Sequence, residues 1–255
     1  MVRPSRIRLT VGLAPALASG ALITGGLVLG SPPALANTAE PADYRQSLPA
    51  GGISKASKAA RWAGLSPGQC QAEVTRRGLG VKRWKGFAVG VATPMRVTAA
   101  IGGVRFLTPG GKSPYGVLDC RLALVLSELA SVLVRHGVVE VRVDNMYRPR
   151  AHLPGKKKPS QHAYGLAIDL TRFKLQNGEE LVIEQDFEGK LGEPVCGPEA
   201  RCEALTGKAL QLRNLVCDVV RAEIFHHILT PNHNAAHRDH FHLDIARGAR
   251  QRIVE

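Results

Sequence analysis

Two segments of the chain carry side chains whose types and spacing suit metal chemistry. The first, SQHAYGLAID, places His162 and Asp169 seven residues apart. The second, HRDHFHLD, contains His237, His240 and His242. Imidazole nitrogens and a carboxylate are ligands that suit zinc, and three of them leave a fourth tetrahedral position open. An open position is typical of a catalytic zinc site rather than a structural one.

Histidine is concentrated near the end of the chain, since six of the nine histidines lie between His226 and His242. A solvated loop, or a set of buried core histidines, is the alternative explanation. Against that alternative, His240 and His242 are two residues apart in a strand pattern, so both side chains leave the same face of the strand. His237 precedes them at a turn. We therefore favour the binding of one zinc ion over a purely structural role.

His162 and Asp169 can share a metal ion only if the chain bends between them. A straight strand would hold the two residues about 23 Å apart. Gly165 lies in the interval, and glycine adopts backbone conformations that other residues avoid. We expect this bend to bring His162 back over the strand that presents Asp169.

The elements around these residues predict an α+β fold with a single, mainly antiparallel sheet and flanking helices. One predicted helix has Ser66 as its cap, Pro67 in its first turn and Gly78 at its end. Apolar residues at helical spacing predict further helices at RLALVLSELASVLVRHG and KALQLRNLVCDVV. Residues 81–118 are interpreted as short strands and loops. Longer strands are predicted at VVEVRVDNMYRPR, HAYGLAIDL, IFHHIL and HFHLDIA.

The length of 255 residues is enough for one domain with a sizeable core. At the start of the chain, three arginines precede an apolar run that ends in Ala-x-Ala at 34–36. This pattern predicts a signal peptide over 1–36 and an exported protein, periplasmic or secreted. A membrane anchor is the alternative, but the Ala-x-Ala exit favours cleavage and no stable membrane span afterwards. Residues 37–60 are interpreted as a linker and 61–255 as the domain.

The chain is strongly basic. Its formal net charge is +13, and removal of the three signal-peptide arginines leaves about +10. An exported protein of this charge is expected to meet peptidoglycan or another anionic cell-wall polymer. Nucleic acid is not expected as a partner, because aromatic residues are only 5% and no nucleic-acid motif is recognised. A solvated basic face without a specific partner is the alternative.

Five cysteines in an exported chain predict disulfides and one remaining thiol. Cys196 and Cys202 bracket a short Gly-Pro loop and are predicted to pair. Cys70 and Cys120 are predicted to form the second bridge. This leaves Cys217 unpaired and buried in a helix.

The sequence SQHAYGLAIDL, followed by PNHNAAHRDHFHLDI, resembles the extensin-like C-terminal domain family. That family in turn is similar to the zinc D-Ala-D-Ala peptidases and the penicillin-insensitive murein endopeptidases. The shared pattern is S-x-H-x-x-G-x-A-x-D, followed by H-x-H. The matching positions in this chain are Ser160, His162, Gly165, Ala167, Asp169, His240 and His242. The resemblance implies a fold similar to that of the hedgehog and D-Ala-D-Ala-peptidase group.

Roles for individual residues also follow from the resemblance. It implies that His162, Asp169 and His242 are the zinc ligands. It further implies that His240 is the catalytic histidine, with His237 in a supporting or substrate-facing position.

Arg148, in NMYRPR, resembles the arginine that stabilises the oxyanion in these peptidases. Ser160 and Tyr164, which flank His162, are expected to bind substrate. Asp244 is expected to have a structural role.

The activity implied by the resemblance is that of a zinc metallopeptidase that hydrolyses amide bonds of peptidoglycan stem peptides or crosslinks. A non-catalytic wall-binding module with a structural zinc ion is the first alternative. In a second alternative, the zinc ion is structural and both His240 and His242 are ligands.

One departure from the family concerns the position of Tyr147, where the family usually carries a cysteine. The departure implies that Cys217 lacks its usual disulfide partner.

Overall fold

The computed structural model describes residues 43–49, 52–200 and 205–255. The predicted signal peptide and Cys202 lie outside the described residues. The chain from Thr38 to Glu255 forms one compact unit. Among the residues described, no helix combines the length and apolar character needed to cross a membrane.

The described chain contains both helices and strands, as expected of an α+β fold. The helices are α1 (Lys58–Ala63), α2 (Pro67–Arg76), α3 (Cys120–Arg135), α4 (Ile183–Asp186) and α5 (Gly207–Arg221). The strands are β1 (Val81–Arg83), β2 (Pro94–Val97), β3 (Arg105–Leu107), β4 (Val117–Asp119), β5 (Val138–Val143), β6 (Ala167–Leu175), β7 (Glu180–Val182), β8 (His227–Leu229), β9 (Phe241–Asp244) and β10 (Ile253–Val254).

The main sheet has seven strands in the order β10-β8-β9-β6-β5-β3, with β7 paired to β6. Most neighbours are antiparallel, as predicted, and the parallel pairs are β3 with β5 and β10 with β8. The prediction of a single sheet differs from the structure, because β1, β2 and β4 form a separate three-stranded sheet. These strands are short, and only β3 from this part of the chain joins the main sheet.

Strand β6 carries Asp169, one of the three predicted metal ligands. It lies between β5 and β9 and pairs with β7 at its far end. Successive side chains of a strand point to opposite faces. Ile168 and Leu170 join the hydrophobic core, and Asp169, between them in the chain, is presented on the other face. The central strand therefore has an apolar face for stability and a polar position for chemistry.

The helices predicted from apolar spacing are confirmed. In α2, the Ser66 hydroxyl accepts from the Gln69 backbone and the Gln69 side chain accepts from the Ser66 N–H. Such a capping box satisfies two backbone donors at a helix start. The helix α3 packs against α5 and β5 and supplies much of the core.

The segment predicted as a linker, 37–60, is in part packed on the domain. The side chain of Tyr44 is 1% exposed and its N–H donates to Asn214 in α5. The helix α1 begins at Lys58 with Ser57 as its cap. A single buried aromatic and a six-residue helix are too short to produce a recognisable hydrophobic period, so the sequence did not indicate them.

Two disulfides are described. The predicted pair Cys70–Cys120 is confirmed and joins α2 to the start of α3. The predicted pairing of Cys196 with Cys202 is wrong, and so is the free thiol at Cys217, because Cys196 is bonded to Cys217. The fold of α5 places the Cα atoms of that pair 5.6 Å apart, a proximity that spacing along the chain does not reveal. Disulfides persist in oxidising compartments, so both pairs are consistent with export.

Candidate metal centre

A sharp turn before β6 positions His162. Residues Gln161–Tyr164 form a short 3-10 turn that ends at Gly165, whose φ is 63°. A Cβ atom at Gly165 would lie 2.9 Å from the backbone nitrogen of Asp119. Both the left-handed backbone and the close contact therefore require glycine. The expected bend is confirmed, and it directs His162 back toward Asp169.

Asp169 and His242 are placed by strand register. They are direct partners across the antiparallel pair of β6 and β9. His162 Nε2 lies 3.1 Å from Asp169 Oδ1 and 3.1 Å from His242 Nδ1. His242 Nδ1 lies 3.0 Å from the same carboxylate oxygen. The three predicted ligands thus present three atoms that face one another in a buried triangle.

The ring orientation of each histidine is set by a second hydrogen bond outside the triangle. His162 Nδ1 lies 3.2 Å from the carbonyl oxygen of Met146, an acceptor only. His242 Nε2 lies 3.1 Å from Asp244 Oδ2. Both rings donate through these outer nitrogens, so each inner nitrogen can coordinate a metal ion once it is unprotonated. Histidines that bind metals are commonly held in this way.

Asp169 is oriented in the same manner. Its Oδ2 accepts a hydrogen bond of 2.9 Å from Asn145 Nδ2, which leaves Oδ1 toward the two histidines. Asn145 also donates to Asp144 Oδ2 at 2.8 Å. Asp244, expected to be structural, accepts from His227 Nδ1 at 2.7 Å in addition to holding His242. Partners outside the triangle therefore hold all three inner atoms facing one another.

This donor set fits a zinc ion. Bonds of about 2.1 Å in a tetrahedral site place neighbouring ligand atoms about 3.4 Å apart. The three distances in the triangle, 3.0 to 3.1 Å, are within a few tenths of an ångström of that value. Three donor atoms this close need a positive charge among them, which either a proton on a histidine or a metal ion supplies.

Electrostatics within the triangle favour positive charge. Burial alone would lower the pKa of His242, but hydrogen bonds to Asp169 and Asp244 raise it to about 9. Burial also works against the charged form of Asp169, yet its histidine partners hold its pKa well below the usual range. For His162, burial prevails and lowers the pKa. The site therefore combines an ionised Asp169 and a neutral His162 with a His242 that holds a proton, which a bound metal ion would displace.

A second group of metal-binding residue types, Cys70, Asp119 and Cys120, also lies close together. The two cysteines are bonded to each other as a disulfide, so neither offers a thiolate. The Asp119 carboxylate accepts hydrogen bonds from the backbone of Thr93 and from Arg121. This group is therefore structural, and the triangle around Asp169 is the candidate metal centre.

His240 lies at the edge of the triangle without belonging to it. Its Nε2 is 3.7 Å from Asp169 Oδ1, and its side chain is 17% exposed. Its Nδ1 is 2.8 Å from Asp239 Oδ1, so the ring donates to that carboxylate and directs the Nε2 lone pair toward the site. The hydrogen bond from His240 lowers the pKa of Asp239, which keeps its carboxylate charged. This arrangement suits a group that accepts and returns a proton.

Further histidines extend from the triangle toward the surface. The ring of His237 lies 5.1 Å from that of His240 and 5.9 Å from that of His242. His233, which the sequence did not single out, lies 5.1 Å from His237 on its other side. Burial and the neighbouring histidines lower the pKa of His237 to about 4. His237 is therefore uncharged at neutral pH and able to exchange hydrogen bonds beside the site.

Arg148 lies close to the candidate ligands, as the sequence implied. Its backbone N–H donates to the His162 carbonyl at 3.1 Å, and its exposed side chain is near enough to help lower the pKa of His162. Tyr147, the residue before it, is fully buried, and its hydroxyl donates to the Val89 carbonyl at 2.9 Å. The buried tyrosine anchors the turn that carries the exposed arginine.

Ser160 and Tyr164, the two residues expected to bind substrate, differ in their exposure to solvent. Ser160 is buried, and its hydroxyl accepts from the His162 N–H as the cap of the 3-10 turn. This hydrogen bond helps to position His162, and the predicted substrate contact of Ser160 stays a prediction. Tyr164 is 37% exposed beside His162, which leaves its ring accessible as that prediction requires.

The model of the extensin-like protein C-terminus family matches residues 69–254 of the chain. The chain belongs to the extensin-like family. The matched region contains every residue of the candidate metal centre in this extensin-like domain. No curated protein and no solved structure gave a significant match.

Asp244 follows His242 by two positions in a strand, so alternation already placed both on one face, in keeping with the structural role expected for Asp244. Three other residues of the site, Asp239, Asn145 and His227, were missed in the sequence. Asp239 is next to His240, but adjacency does not show which way a side chain points. Asn145 lies just after β5 and His227 lies in β8, and only the pairing of strands brings them to Asp169 and Asp244.

Proposed function

We propose that this extensin-like protein is an exported zinc metallopeptidase that hydrolyses amide bonds of peptidoglycan stem peptides or crosslinks. The observation that carries the proposal is the inward-facing triangle of His162, Asp169 and His242, with His240 at its more exposed edge. The motif resemblance to D-Ala-D-Ala peptidases and murein endopeptidases supports the same reaction class.

The metal is proposed to be one zinc ion, held by His162 Nε2, Asp169 Oδ1 and His242 Nδ1. When bound, zinc would polarise a scissile carbonyl and lower the pKa of a coordinated water toward 7. The outer hydrogen bonds from Asn145 and to Asp244 keep the ligand atoms in place through the reaction.

The protein groups around the metal supply the remaining parts of an amide hydrolysis. His240, oriented by Asp239, takes the proton from the attacking water and returns it to the leaving amine. Arg148 places a positive charge where negative charge develops on the carbonyl oxygen. His237 and Tyr164 are proposed to contact the substrate beside these groups.

His240 also bears on the two alternatives. Its ring nitrogens do not join the group of mutually close ligand atoms formed by the three predicted ligands, which favours a proton-transfer role over a fourth ligand. A wall-binding module with a structural zinc ion has no need of a histidine oriented by a carboxylate. The position of His240 therefore favours the enzyme.

The decisive experiment is to incubate the zinc-loaded protein with purified peptidoglycan and identify released fragments by mass spectrometry. Fragments released by the wild type, and absent with His240→Ala, are the expected result. Retention of the protein on peptidoglycan without any released fragment, from a preparation that contains zinc, would favour the binding module instead.

A further inference from the structure

A strongly cationic hairpin leads directly into the candidate metal centre. Residues 148–160, called the basic hairpin below, are closed by an antiparallel bridge between His152 and Pro159. The hairpin carries Arg148, Arg150, Lys156, Lys157 and Lys158, and all five side chains are exposed. No acidic residue occurs in the chain between Asp144 and Asp169.

Backbone hydrogen bonds attach the basic hairpin to the segment that carries His162. The N–H of Arg148 donates to the His162 carbonyl at 3.1 Å. The N–H of Ser160, two residues before His162, donates to the Ala151 carbonyl at 2.9 Å. Further out, the N–H of Leu153 donates to the Lys158 carbonyl at 2.9 Å. The position of the hairpin charges is thereby tied to that of a candidate zinc ligand.

The hairpin charges are not compensated by acidic partners. Within 43–49, 52–200 and 205–255, no ion pair involves Arg148, Arg150 or the three lysines. Arginines elsewhere in the domain commonly have such partners, as Arg77 does with Glu73 and Arg121 with Asp119. Uncompensated charges of one sign at the rim of a site raise the local concentration of oppositely charged ligands.

The backbone at Arg150 is a second, independent observation. Its φ is 58°, in the left-handed region that glycine occupies at lower cost. Glu223 has a similar φ of 51°, and its side chain forms an ion pair with Arg252. Arg150 has no such partner within the described chain, yet its charge acts on the Tyr147 hydroxyl, opposing the rise in pKa that burial causes. A strained conformation that retains a long cationic side chain points to a use for that side chain.

We propose that the basic hairpin binds the free carboxylates of the peptide chains of peptidoglycan and so holds a substrate strand beside the metal centre. The inference rests on the proposed function for the identity of the substrate and deepens it: the preferred peptides are anionic. Carboxylates are the complementary groups because the amide bonds proposed for cleavage lie in peptides whose chain ends carry them. Lysine and arginine pair with carboxylates without a requirement for a deep pocket.

The test compares two charge-reversed proteins. Lys157→Glu with Lys158→Glu alters the hairpin, and Lys55→Glu with Arg135→Glu is the matched control. All four residues are exposed, and within the described residues none of them is in an ion pair, so both proteins change by the same charge. Binding to purified sacculi stripped of phosphate-containing polymers is measured by co-sedimentation at low and physiological salt. Arg150→Gly is a third variant, which removes a cation while relieving the strained backbone.

Binding by the hairpin protein is expected to be about tenfold weaker than binding by the control at low salt, with the difference shrinking as salt rises. Arg150→Gly is expected to weaken binding without lowering the thermal midpoint. Sacculi whose carboxylates have been amidated should bind wild type and hairpin variant equally weakly.

Equal losses in the hairpin and control proteins would overturn the proposal, because general charge would then account for binding. Undiminished binding to amidated sacculi, or binding that requires the phosphate-containing polymers, would also overturn it. The proposed function is tested separately by fragment release. A wild-type protein that binds through the hairpin but releases no fragment contradicts the peptidase proposal and leaves the hairpin inference standing.

Discussion

Asp169 and His242 lie directly opposite each other on β6 and β9, with the aspartate Oδ1 3.0 Å from the histidine Nδ1. This cross-strand pair forms one side of the candidate metal centre, and the turn at Gly165 adds His162 as the third member. A slip of one residue between β6 and β9 would place the two side chains on opposite faces of the sheet. The sheet that stabilises the domain therefore also sets the geometry of the candidate metal centre.

The first prediction separates a ligand from a proton-transfer group. His242→Ala removes a proposed ligand, so zinc content and peptidoglycan hydrolysis should fall together. His240→Ala should retain zinc and lose on the order of a hundred- to ten-thousand-fold in rate. Metal analysis of both purified proteins, with fragment release, checks this prediction. Equal loss of zinc in the two variants would make His240 a ligand.

The second prediction concerns removal of the metal. Chelation should lower the thermal midpoint, because it leaves the inward lone pairs of His162, Asp169 and His242 without a shared cation. At a zinc concentration a hundred times the Kd, the stabilisation is about 2.7 kcal/mol, or about 5 to 10 °C for a domain of this size. Calorimetry before and after chelation, and again with zinc restored, measures the shift. The His242→Ala protein is the control and should not respond.

The third prediction tests the hydrogen bond that orients Asp169. Asn145→Ala removes the donor to Asp169 Oδ2, so zinc affinity should fall about 10- to 100-fold although no ligand is lost. Asn177→Ala is the control, since Asn177 caps an exposed turn elsewhere. Competition titration with a chromophoric chelator measures both affinities. An unchanged Kd in Asn145→Ala would show that Asp169 needs no such support.

The fourth prediction follows from the disulfide that the sequence did not indicate. Peptide mapping without reduction should link Cys196 to Cys217 and Cys70 to Cys120. Cys217→Ser should lower the free energy of unfolding by about 3 kcal/mol, since the bond closes a separation of 21 residues. Cys202→Ser is the control and should leave stability unchanged. A Cys196–Cys202 peptide in the wild type would contradict the described pairing.

The fifth prediction concerns acid stability. Burial disfavours the charged form of Asp218, but hydrogen bonds with His136 and Arg221 outweigh it and lower its pKa. A depressed folded-state pKa contributes stability above the unfolded pKa of about 4, and that contribution is lost as pH falls through the lower folded value. Asp218→Asn should therefore be less stable than wild type at pH 7, with the difference diminishing below pH 4. Denaturant unfolding at both pH values checks this, and a constant difference would contradict it.

The sequence by itself determined the candidate ligand residues, the α+β class and the main helices. Apolar residues at helical spacing over 16 residues were enough to predict α3, because few structures other than a helix show that period over such a length. The interval between His162 and Asp169, with Gly165 inside it, similarly required a bend. His240 and His242 shared a face because alternation along a strand is a local property.

Only the tertiary structure decided which distant groups meet. The bond between Cys196 and Cys217 depends on where α5 packs, and the donation from Asn145 to Asp169 depends on the pairing of strands. The separate sheet of β1, β2 and β4 likewise results from pairing among short strands that carry no strong period. Local patterns report on residues a few positions apart, whereas these contacts form between parts of the chain that meet only when the core is packed.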